Sequence, residues 1–235
     1  MTRLRSLATA TALIAAVLAA SGCATRSRGP ADYPTYTDAQ APGIFNDLGG
    51  KAVLPAGRTL RPVVPTGLAV TKKGEGWRSR LYNDVAGLCT IGYGHLLPKR
   101  ARCDGTEPAD WQDGITEAEG EELLVTDMKD AQIAVMLAVT TRLTDTQYAA
   151  LCDFVYNVGG GAFRKSTLLK VVNAGQHEQV GNQLMRWTVA GDKVVPGLLN
   201  RRKQEIELYY QGTLASRAVP PAGMDMSPVD VTRGE

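Results

Sequence analysis

The sequence lacks the signatures that mark several large classes of enzyme. It has two histidines among 235 residues, and no His/Cys cluster has the spacing of metal ligands. It contains neither a Walker phosphate loop nor the glycine-rich fingerprint of dinucleotide-binding folds. The net charge is only +2, so the overall charge gives no signal for nucleic-acid binding. We therefore expect a protein with no metal, no cofactor and no nucleic-acid partner.

Aromatic residues are few, at 6% of the chain, whereas hydrophobic residues make up 44%. The hydrophobic content is sufficient for a folded core. A chain of this length accommodates one domain with extensions at its ends.

The segment from residue 75 to residue 95 carries most of the chemical information. Glu75 and Asp84 stand nine positions apart, Thr90 follows six positions later, and a glycine-rich run then ends at His95. Cleavage of a glycosidic bond requires two carboxyl groups that face each other across the sugar. One must stay protonated to donate to the leaving oxygen, and the other must handle a water or the positive charge on the sugar.

This spacing is compatible with such a pair if Glu75 ends a helix and the chain then doubles back. We expect a helix capped by Thr66, then two short strands at residues 81–82 and 90–93 with a turn over residues 84–87. Asp84 and Thr90 would then sit on neighbouring strands near Glu75. The alternative is an ordinary surface hairpin whose acidic residues are solvated.

The segment closely resembles the catalytic segment of the phage-type lysozymes, glycoside hydrolase family 24. That family has Glu-Gly, eight residues between the Glu and the Asp, five between the Asp and the Thr, and then Ile-Gly-x-Gly-His. Here Glu75 is followed by a glycine, Asp84 and Thr90 meet both spacings, and residues 91–95 complete the pattern. The resemblance extends over about residues 66–211. One departure is Gly74, where the family often has a bulky apolar residue.

The resemblance implies an α+β, mostly helical fold with two lobes. A small β-hairpin lobe and a helical lobe would be joined by a long helix, which the apolar spacing places at residues 124–138. We expect two capping boxes that start helices, at Thr116 with Glu119 and at Thr144 with Gln147. Further helices are expected at residues 163–172, 176–187 and 198–210.

The resemblance also implies a lysozyme that hydrolyses the bond from N-acetylmuramic acid to N-acetylglucosamine in peptidoglycan. Glu75 would be the general acid, Asp84 would stay ionised, and Thr90 would position the attacking water. Inversion would require about 6.5–9.5 Å between the two carboxyl groups. The family places an arginine near the catalytic acid, which corresponds to Arg201, with Arg202 as a possible substitute. His95 is expected to be a structural hydrogen-bonding residue.

Two other functions remain open. A lytic transglycosylase uses one acid and forms an anhydro sugar without water, which leaves Asp84 and Thr90 unexplained. A catalytically silent wall-binding protein on the same scaffold would have no chemical reason to keep Glu75, Asp84 and Thr90 together.

A local excess of basic residues lies in the second half of the chain. Such a surface would attract an anionic polymer such as peptidoglycan, although solvated helix faces would give the same count. Between residues 164 and 203 the basic residues are Arg164, Lys165, Lys170, Arg186, Lys193, Arg201, Arg202 and Lys203, against the acids Glu178 and Asp192.

The first 25 residues are typical of an export segment, because a short basic start precedes 20 uncharged residues rich in Ala and Leu. Residues 20–23 resemble a lipobox, in which Cys23 would be lipidated. A weakly apolar signal-arrest-release segment, as in some secreted endolysins, and a plain cleaved signal are the alternatives. Each implies an exported, periplasmic protein. The first two attach it to the membrane, and we expect a monomer.

The four cysteines divide by context. In an exported protein Cys89 and Cys103, which flank the glycine-rich strand, are expected to form a disulfide. Cys152 lies on an apolar helical stripe and is expected to be a buried free thiol. If the N-terminal segment is of the signal-arrest-release type, Cys23 would be able to exchange with Cys89.

The remaining segments have many prolines and little periodicity. Residues 26–65 are expected to form a proline-rich tether, residues 66–211 the catalytic domain, and residues 212–235 a disordered tail.

Overall fold

The structure is a computed structural model that describes residues 53–84, 87–97, 102–105, 107, 109–191 and 193–235. All the described residues belong to one compact unit of the chain. The predicted export segment with Cys23 and most of the predicted tether therefore lie outside the described residues. Among the described residues, no helix is both long and apolar enough to cross a membrane.

Helices dominate the described chain. In order they are α1 (Pro65–Glu75), α2 (Ala109–Gln112), α3 (Glu117–Asp127), α4 (Lys129–Ala138), α5 (Asp145–Val158), α6 (Gly160–Lys165), α7 (Thr167–Asn173), α8 (Val180–Leu184) and α9 (Pro196–Tyr210). A 3-10 turn (His177–Gln179) precedes α8. The strands are β1 (Arg78–Asn83), β2 (Cys89–Gly92), β3 (His95–Leu96), β4 (Val189–Ala190) and β5 (Lys193–Val194). This is the α+β, mostly helical fold that the resemblance implied.

The helical lobe is built around α5. Nine consecutive residues of this helix, 147–155, are buried, because α9, α4 and α1 pack around it. Gly67 permits a close approach of α1, since a Cβ at that position would lie 2.5 Å from the Cβ of Ala149. The helix that ends at Glu75 is thus packed directly on the core of the helical lobe.

The small lobe is an antiparallel sheet in the order β1-β2-β3. Tyr82 pairs with Thr90 and Asn83 with Cys89, and the register of β1 is irregular between Arg78 and Tyr82. The hairpin was predicted from the sequence, but the third strand was not. The small lobe has its own buried residues, Cys89, Ile91 and Leu97.

A tight contact joins the start of the small lobe to the long helical connection. The ring of Trp77 lies directly on the backbone of α3 at Gly120, where an added Cβ would lie 2.2 Å from a ring carbon. Trp77 also packs on Tyr93, with ring centroids 5.0 Å apart. Only a residue without a side chain leaves room for the indole here.

Both capping boxes are confirmed. Thr116 and Thr144 each accept a bond from the backbone three residues on, and Glu119 and Gln147 reach back to the capping residues. The predicted cap of α1 is wrong, because the N-cap is Val64, two residues before Thr66, and the helix begins at Pro65. A proline fits the first helical position, since the backbone N–H that it lacks has no partner there.

Three predicted helices are divided. The long connection consists of α3 and α4 on either side of Met128, whose backbone angles stay near the right-handed helical region. The predicted helix at 163–172 breaks at Ser166, which is extended and caps α7 through the N–H of Leu169. The predicted helix at 176–187 is a 3-10 turn followed by the short α8. Side-chain periodicity continues across such breaks, so the sequence pattern does not reveal them.

The predicted disordered tail is wrong, because residues 212–235 pack on the helical lobe. Val229 is 4% exposed, and its backbone donates to the carbonyl oxygen of Arg186. The side chain of Glu235 accepts bonds from Thr167 and Arg186. Isolated apolar and charged residues supply these contacts, and they have no periodicity that a sequence pattern would detect.

The boundary between tether and domain also lies earlier than predicted. Arg61 is 4% exposed, donates to the carbonyl oxygen of Leu143 and pairs with Asp145 at 2.6 Å. Its own carbonyl oxygen accepts bonds from Gln132 and Tyr148. The described end of the predicted tether, residues 53–64, therefore belongs to the folded domain.

Candidate active site

Glu75 is the last residue of α1, at the junction of the two lobes. Gly76 ends the helix with a φ of 73°, a conformation that favours glycine. Oε1 of Glu75 accepts a bond of 2.6 Å from Nη1 of Arg201, and the side chain is 24% exposed. On the other side, a Cβ added to Gly94 would lie 3.4 Å from Oε2. The carboxyl group is therefore held by α9 and lies next to the turn after β2.

The structure assigns the predicted arginine near the acid to Arg201 and not to Arg202. Nε and Nη2 of Arg201 donate to the two carboxylate oxygens of Asp153, at 3.0 and 2.8 Å, so that Nη1 points at Glu75. Arg202 instead pairs with Glu205 at 3.0 Å and bonds to Asn157. Asp153 was missed in the sequence, because an acid on the buried face of a helix has no local pattern that reveals its partner.

Gly74, the departure from the family pattern, has a structural reason. A Cβ at this position would lie 3.1 Å from Cζ of Arg201, so the missing side chain leaves room for the guanidinium group beside Glu75. The glycine in this chain is thus matched to the arginine on α9.

The buried charges around Arg201 have shifted pKa values. Burial alone would raise the pKa of Asp153, but the charge and hydrogen bonds of Arg201 outweigh it and hold that pKa below its usual value. Burial raises the pKa of Glu205 well above its usual range, and the charge of Arg202 opposes that shift. Asp153 is therefore the ionised partner that keeps Arg201 in place.

Asp84 and Thr90 lie at one end of the β1–β2 hairpin. Oδ1 of Asp84 accepts a bond of 2.8 Å from the N–H of Leu88, and the backbone N–H of Asp84 donates to the carbonyl oxygen of Leu88. The hydroxyl of Thr90 donates to that same carbonyl at 3.0 Å, and the side chain is 2% exposed. The hydroxyl oxygen keeps its capacity to accept a bond, for example from a water.

Two tyrosines that the sequence did not single out also belong to this site. Burial raises the pKa of Tyr82, Arg78 lowers it, and the charges of Asp84 and Glu75 raise it further. Tyr82 thus lies within electrostatic reach of both acids, on the strand position that pairs with Thr90. Burial also raises the pKa of Tyr156, with Glu75 and Asp127 adding to the shift. The partners of Tyr156 are distant in sequence, so only the fold reveals its place beside Glu75.

His95 lies beside the site and is held on two sides. Its Nδ1 is 2.8 Å from Oδ2 of Asp127, and its ring stacks on Trp111 with centroids 5.6 Å apart. These contacts join β3 to the end of α3. They fit the structural hydrogen-bonding role that was expected of this histidine.

A disulfide joins Cys89 to Cys103, and Cys152 is a buried free cysteine. The carboxylate of Glu107 lies close enough to both sulfurs to complete a set of three metal ligands. The two sulfurs are bonded to each other, however, so neither is a thiolate that could bind a metal. Among the described residues this group offers a crosslink and not a metal site.

The predicted basic surface is smaller than its sequence suggested. Arg186, Arg201 and Arg202 are at most 5% exposed and are paired with carboxylates. Three of the eight basic residues thus serve internal ion pairs, because acids outside the counted stretch fold back onto them.

Comparisons with known proteins agree with the fold. The model of the phage lysozyme family matches residues 72–205. An endolysin of Bacillus phage B103 is 36% identical over 148 residues, 62% of this chain, and the chain spans 53% of that relative's length. A SAR-endolysin of bacteriophage PS119 is 36% identical over 142 residues, 59% of this chain and 77% of the relative.

A solved structure, the muramidase domain of SpmX from Asticaccaulis excentricus, superposes with a TM-score of 0.55 at 29% identity. It covers 63% of this chain and 96% of that domain. The matched region contains Glu75, Asp84, Thr90 and Arg201, and the family model covers more than half of the chain. The chain therefore belongs to the phage lysozyme family.

Proposed function

We propose that this protein is a lysozyme that hydrolyses the glycan strands of peptidoglycan, between N-acetylmuramic acid and N-acetylglucosamine. The observation that carries the proposal is the position of Tyr82, which feels the charges of both Glu75 and Asp84 and pairs with Thr90. Two carboxyl groups and a hydroxyl that meet at the junction of two lobes are the groups that glycoside hydrolysis requires. Membership of the phage lysozyme family supports the same reaction.

In the proposed mechanism Glu75 protonates the leaving oxygen of the glycosidic bond. Arg201 bonds one carboxylate oxygen of Glu75 at 2.6 Å, and the other oxygen faces Gly94. The proton is therefore delivered from a carboxyl group whose position Arg201 fixes.

Asp84 stays ionised, orients or activates the attacking water and stabilises the positive charge that develops on the sugar. The hydroxyl of Thr90 positions that water by accepting a bond from it. The family resemblance implies inversion, which leaves space for one water between the sugar and Asp84.

The first test is product analysis after digestion of purified peptidoglycan by the wild type and by Glu75→Gln. The wild type should release fragments with reducing muramic-acid ends, and Glu75→Gln should lower the rate by at least about 10²-fold, because the acid is lost while the fold is kept. Glu207→Gln is a matched control on an exposed position of α9. Near wild-type activity in Glu75→Gln would remove Glu75 from the role.

The same fragments separate the other two functions. Anhydro ends, lighter by one water, would identify a lytic transglycosylase. No new ends from a folded wild type would favour the silent wall-binding protein.

We further propose that the protein is exported to the periplasm, acts in lysis of the cell wall and is attached to the membrane through its N-terminal segment. The uncharged run at residues 6–25, the disulfide and the similarity to a SAR-endolysin support export. Incorporation of labelled palmitate that Cys23→Ser abolishes would identify a lipoprotein. An unlabelled, uncleaved and membrane-bound chain would identify a signal-arrest-release anchor instead.

A further inference from the structure

A second cluster of charged side chains lies one helical turn before Glu75. Nζ of Lys72 is 3.0 Å from Oε2 of Glu121 and 3.3 Å from Oε1 of Glu117. The ammonium group also lies 5.3 Å from the centre of the Tyr93 ring, and the hydroxyl of Tyr93 donates to Oε1 of Glu117 at 2.6 Å. We call these four residues, Lys72, Tyr93, Glu117 and Glu121, the lysine cluster.

The lysine cluster joins three different parts of the fold. Lys72 belongs to α1, which packs on α5 and α9 in the helical lobe. The two glutamates belong to α3, which packs on β2 and β3 of the small lobe. Tyr93 belongs to the turn between β2 and β3 and is 4% exposed. One ammonium group therefore connects α1, which carries Glu75, to α3, which packs on the small lobe, and to Tyr93 in the turn between β2 and β3.

The cluster reaches Glu75 along two routes. Along α1, Lys72 and Glu75 are three residues apart and so lie on neighbouring positions of the helix surface. Through the turn, Tyr93 directly precedes Gly94, which faces Glu75 so closely that an added Cβ would lie 3.4 Å from Oε2. A displacement of Tyr93 would move this neighbour of the carboxyl group.

Lys72 and Glu117 are held in their charged, hydrogen-bonded forms. The hydrogen bond to Glu121 raises the pKa of Lys72 above its usual value, against the opposing effect of burial. The bond from Tyr93 lowers the pKa of Glu117, and Lys72 lowers it further. The contact between Lys72 and Glu117 is thus ionic at neutral pH.

We propose that Lys72 is a positioning residue, which fixes the carboxyl group of Glu75 against the Gly94 turn by tying α1 to α3 and to Tyr93. It touches neither the substrate nor Glu75. The expected effect of Lys72 on catalysis rests on the proposed function. Its expected effect on the stability of the turn at Gly94 does not.

The test compares Lys72→Met with Lys73→Met on soluble glycan strands. Lys73 is the next residue of the same helix and is exposed, so both variants lose one positive charge from α1. Lys72→Met should lower kcat about 10-fold with KM changed less than about twofold, because a small misplacement of a reacting group costs rate and not binding. Lys73→Met should keep the wild-type values, and Lys72→Arg should recover most of kcat, since its guanidinium can bond both glutamates.

Hydrogen exchange supplies a readout that does not depend on activity. The backbone amides of residues 92–96 should exchange faster in Lys72→Met than in the wild type and in Lys73→Met. If Lys72→Met does not fold, Tyr93→Phe takes its place, with a smaller loss of kcat expected because the ring stays and the hydroxyl bond is lost.

The outcomes separate the two proposals. A wild type that releases no reducing ends would overturn the proposed function, and the exchange rates would still decide the role of Lys72. Equal kcat for Lys72→Met and Lys73→Met, a change in KM alone, or a loss of kcat with unchanged exchange would each overturn the positioning role.

Discussion

Asp153 is the residue on which the arrangement of Arg201 depends most directly. It is fully buried, and both of its carboxylate oxygens accept bonds from Arg201. An arginine that loses such a partner stays buried with an uncompensated charge and with donors that no longer have their acceptors. The position of the Arg201 guanidinium group beside Glu75 therefore depends on Asp153, a side chain that does not contact Glu75 itself.

Asp153→Asn should lower the free energy of unfolding at pH 7 by about 3 kcal/mol, because it breaks a buried ion pair from one side. The matched control is Asp113→Asn, the same change at an exposed position of the chain. That variant should stay within about 0.5 kcal/mol of the wild type. Urea denaturation of both variants measures the difference. Equal losses would show that the buried ion pair of Asp153 is not what matters.

The buried carboxylate of Asp153 also makes the effect of Asp153→Asn on the free energy of unfolding depend on pH. The pKa of Asp153 is lowered in the folded protein, so its ionised form stabilises the fold above the unfolded value of about 3.9. That contribution is lost as the pH falls from there through the folded value. The gap in unfolding free energy between the wild type and Asp153→Asn should therefore be constant near neutrality and shrink below about pH 4. A gap that stays constant down to pH 2 would contradict this.

At the residue scale, the sequence predicted the features that depend on residues close together in the chain. The spacing of Glu75, Asp84 and Thr90, and both capping boxes, are short-range patterns with a direct physical meaning. Asp153 and Tyr156 were not predicted, because their roles depend on partners tens of residues away. The catalytic roles of the three predicted residues stay predictions until the products are measured.

At the scale of elements, the contact between α1 and α5 fixes the helix that ends at Glu75. It rests on Gly67, where an added Cβ would lie 2.5 Å from the Cβ of Ala149 and 2.8 Å from a methyl group of Val63. Neither neighbour has a flexible end that could move away. Any larger residue must push the two helices apart.

Gly67→Ala should therefore lower the free energy of unfolding by about 1–3 kcal/mol through overpacking. Gly197→Ala is the control, since nothing lies within 4 Å of an added Cβ there and the residue lies in the first turn of α9. That change should stabilise the protein by up to about 1 kcal/mol, because alanine loses less backbone freedom on folding. Thermal melts of both variants measure the two changes in stability. A Gly67→Ala variant as stable as the wild type would show that the helices separate at little cost.

The breaks in the helices show where sequence patterns stop being informative. Residues 163–172 have a continuous helical spacing of apolar residues, yet Ser166 is extended and starts a new helix. A serine is favoured at an N-cap and is neutral to unfavourable inside a helix, so Ser166 is a local cue to the break that the apolar spacing alone does not use. The sequence also placed the interlobe connection but not its interruption at Met128, where the backbone angles stay helical and no side chain caps the second helix.

For the whole molecule, the packed C-terminal tail extends the domain beyond its predicted end. Arg186 is 5% exposed and donates to the carbonyl oxygen of Ser227, while its guanidinium pairs with Asp225 and Glu235. The tail thus supplies the acceptors for a buried cation of the helical lobe. Without the tail, Arg186 would lose both carboxylate partners and would keep its bond to the side-chain oxygen of Gln183.

Val229→Ala should lower the free energy of unfolding by about 2 kcal/mol, from two lost methyl groups and a small cavity. Val219→Ala in the same tail is the control. Val219 is 87% exposed, so the same change should stay within about 0.5 kcal/mol of the wild type. Denaturant titrations compare the two. Identical curves would mean that the tail contributes nothing to stability in solution.

The contact between Trp77 and Gly120 also limits which substitutions relatives of this chain can accept at these two positions. Since a Cβ at position 120 would lie 2.2 Å from the indole, neither position can change freely while the other stays the same. The two positions should therefore covary among relatives: a residue with a side chain where this chain has Gly120 should occur together with a smaller residue where it has Trp77. An alignment of family members that keep the helix and the strand would reveal this pairing as a correlated substitution.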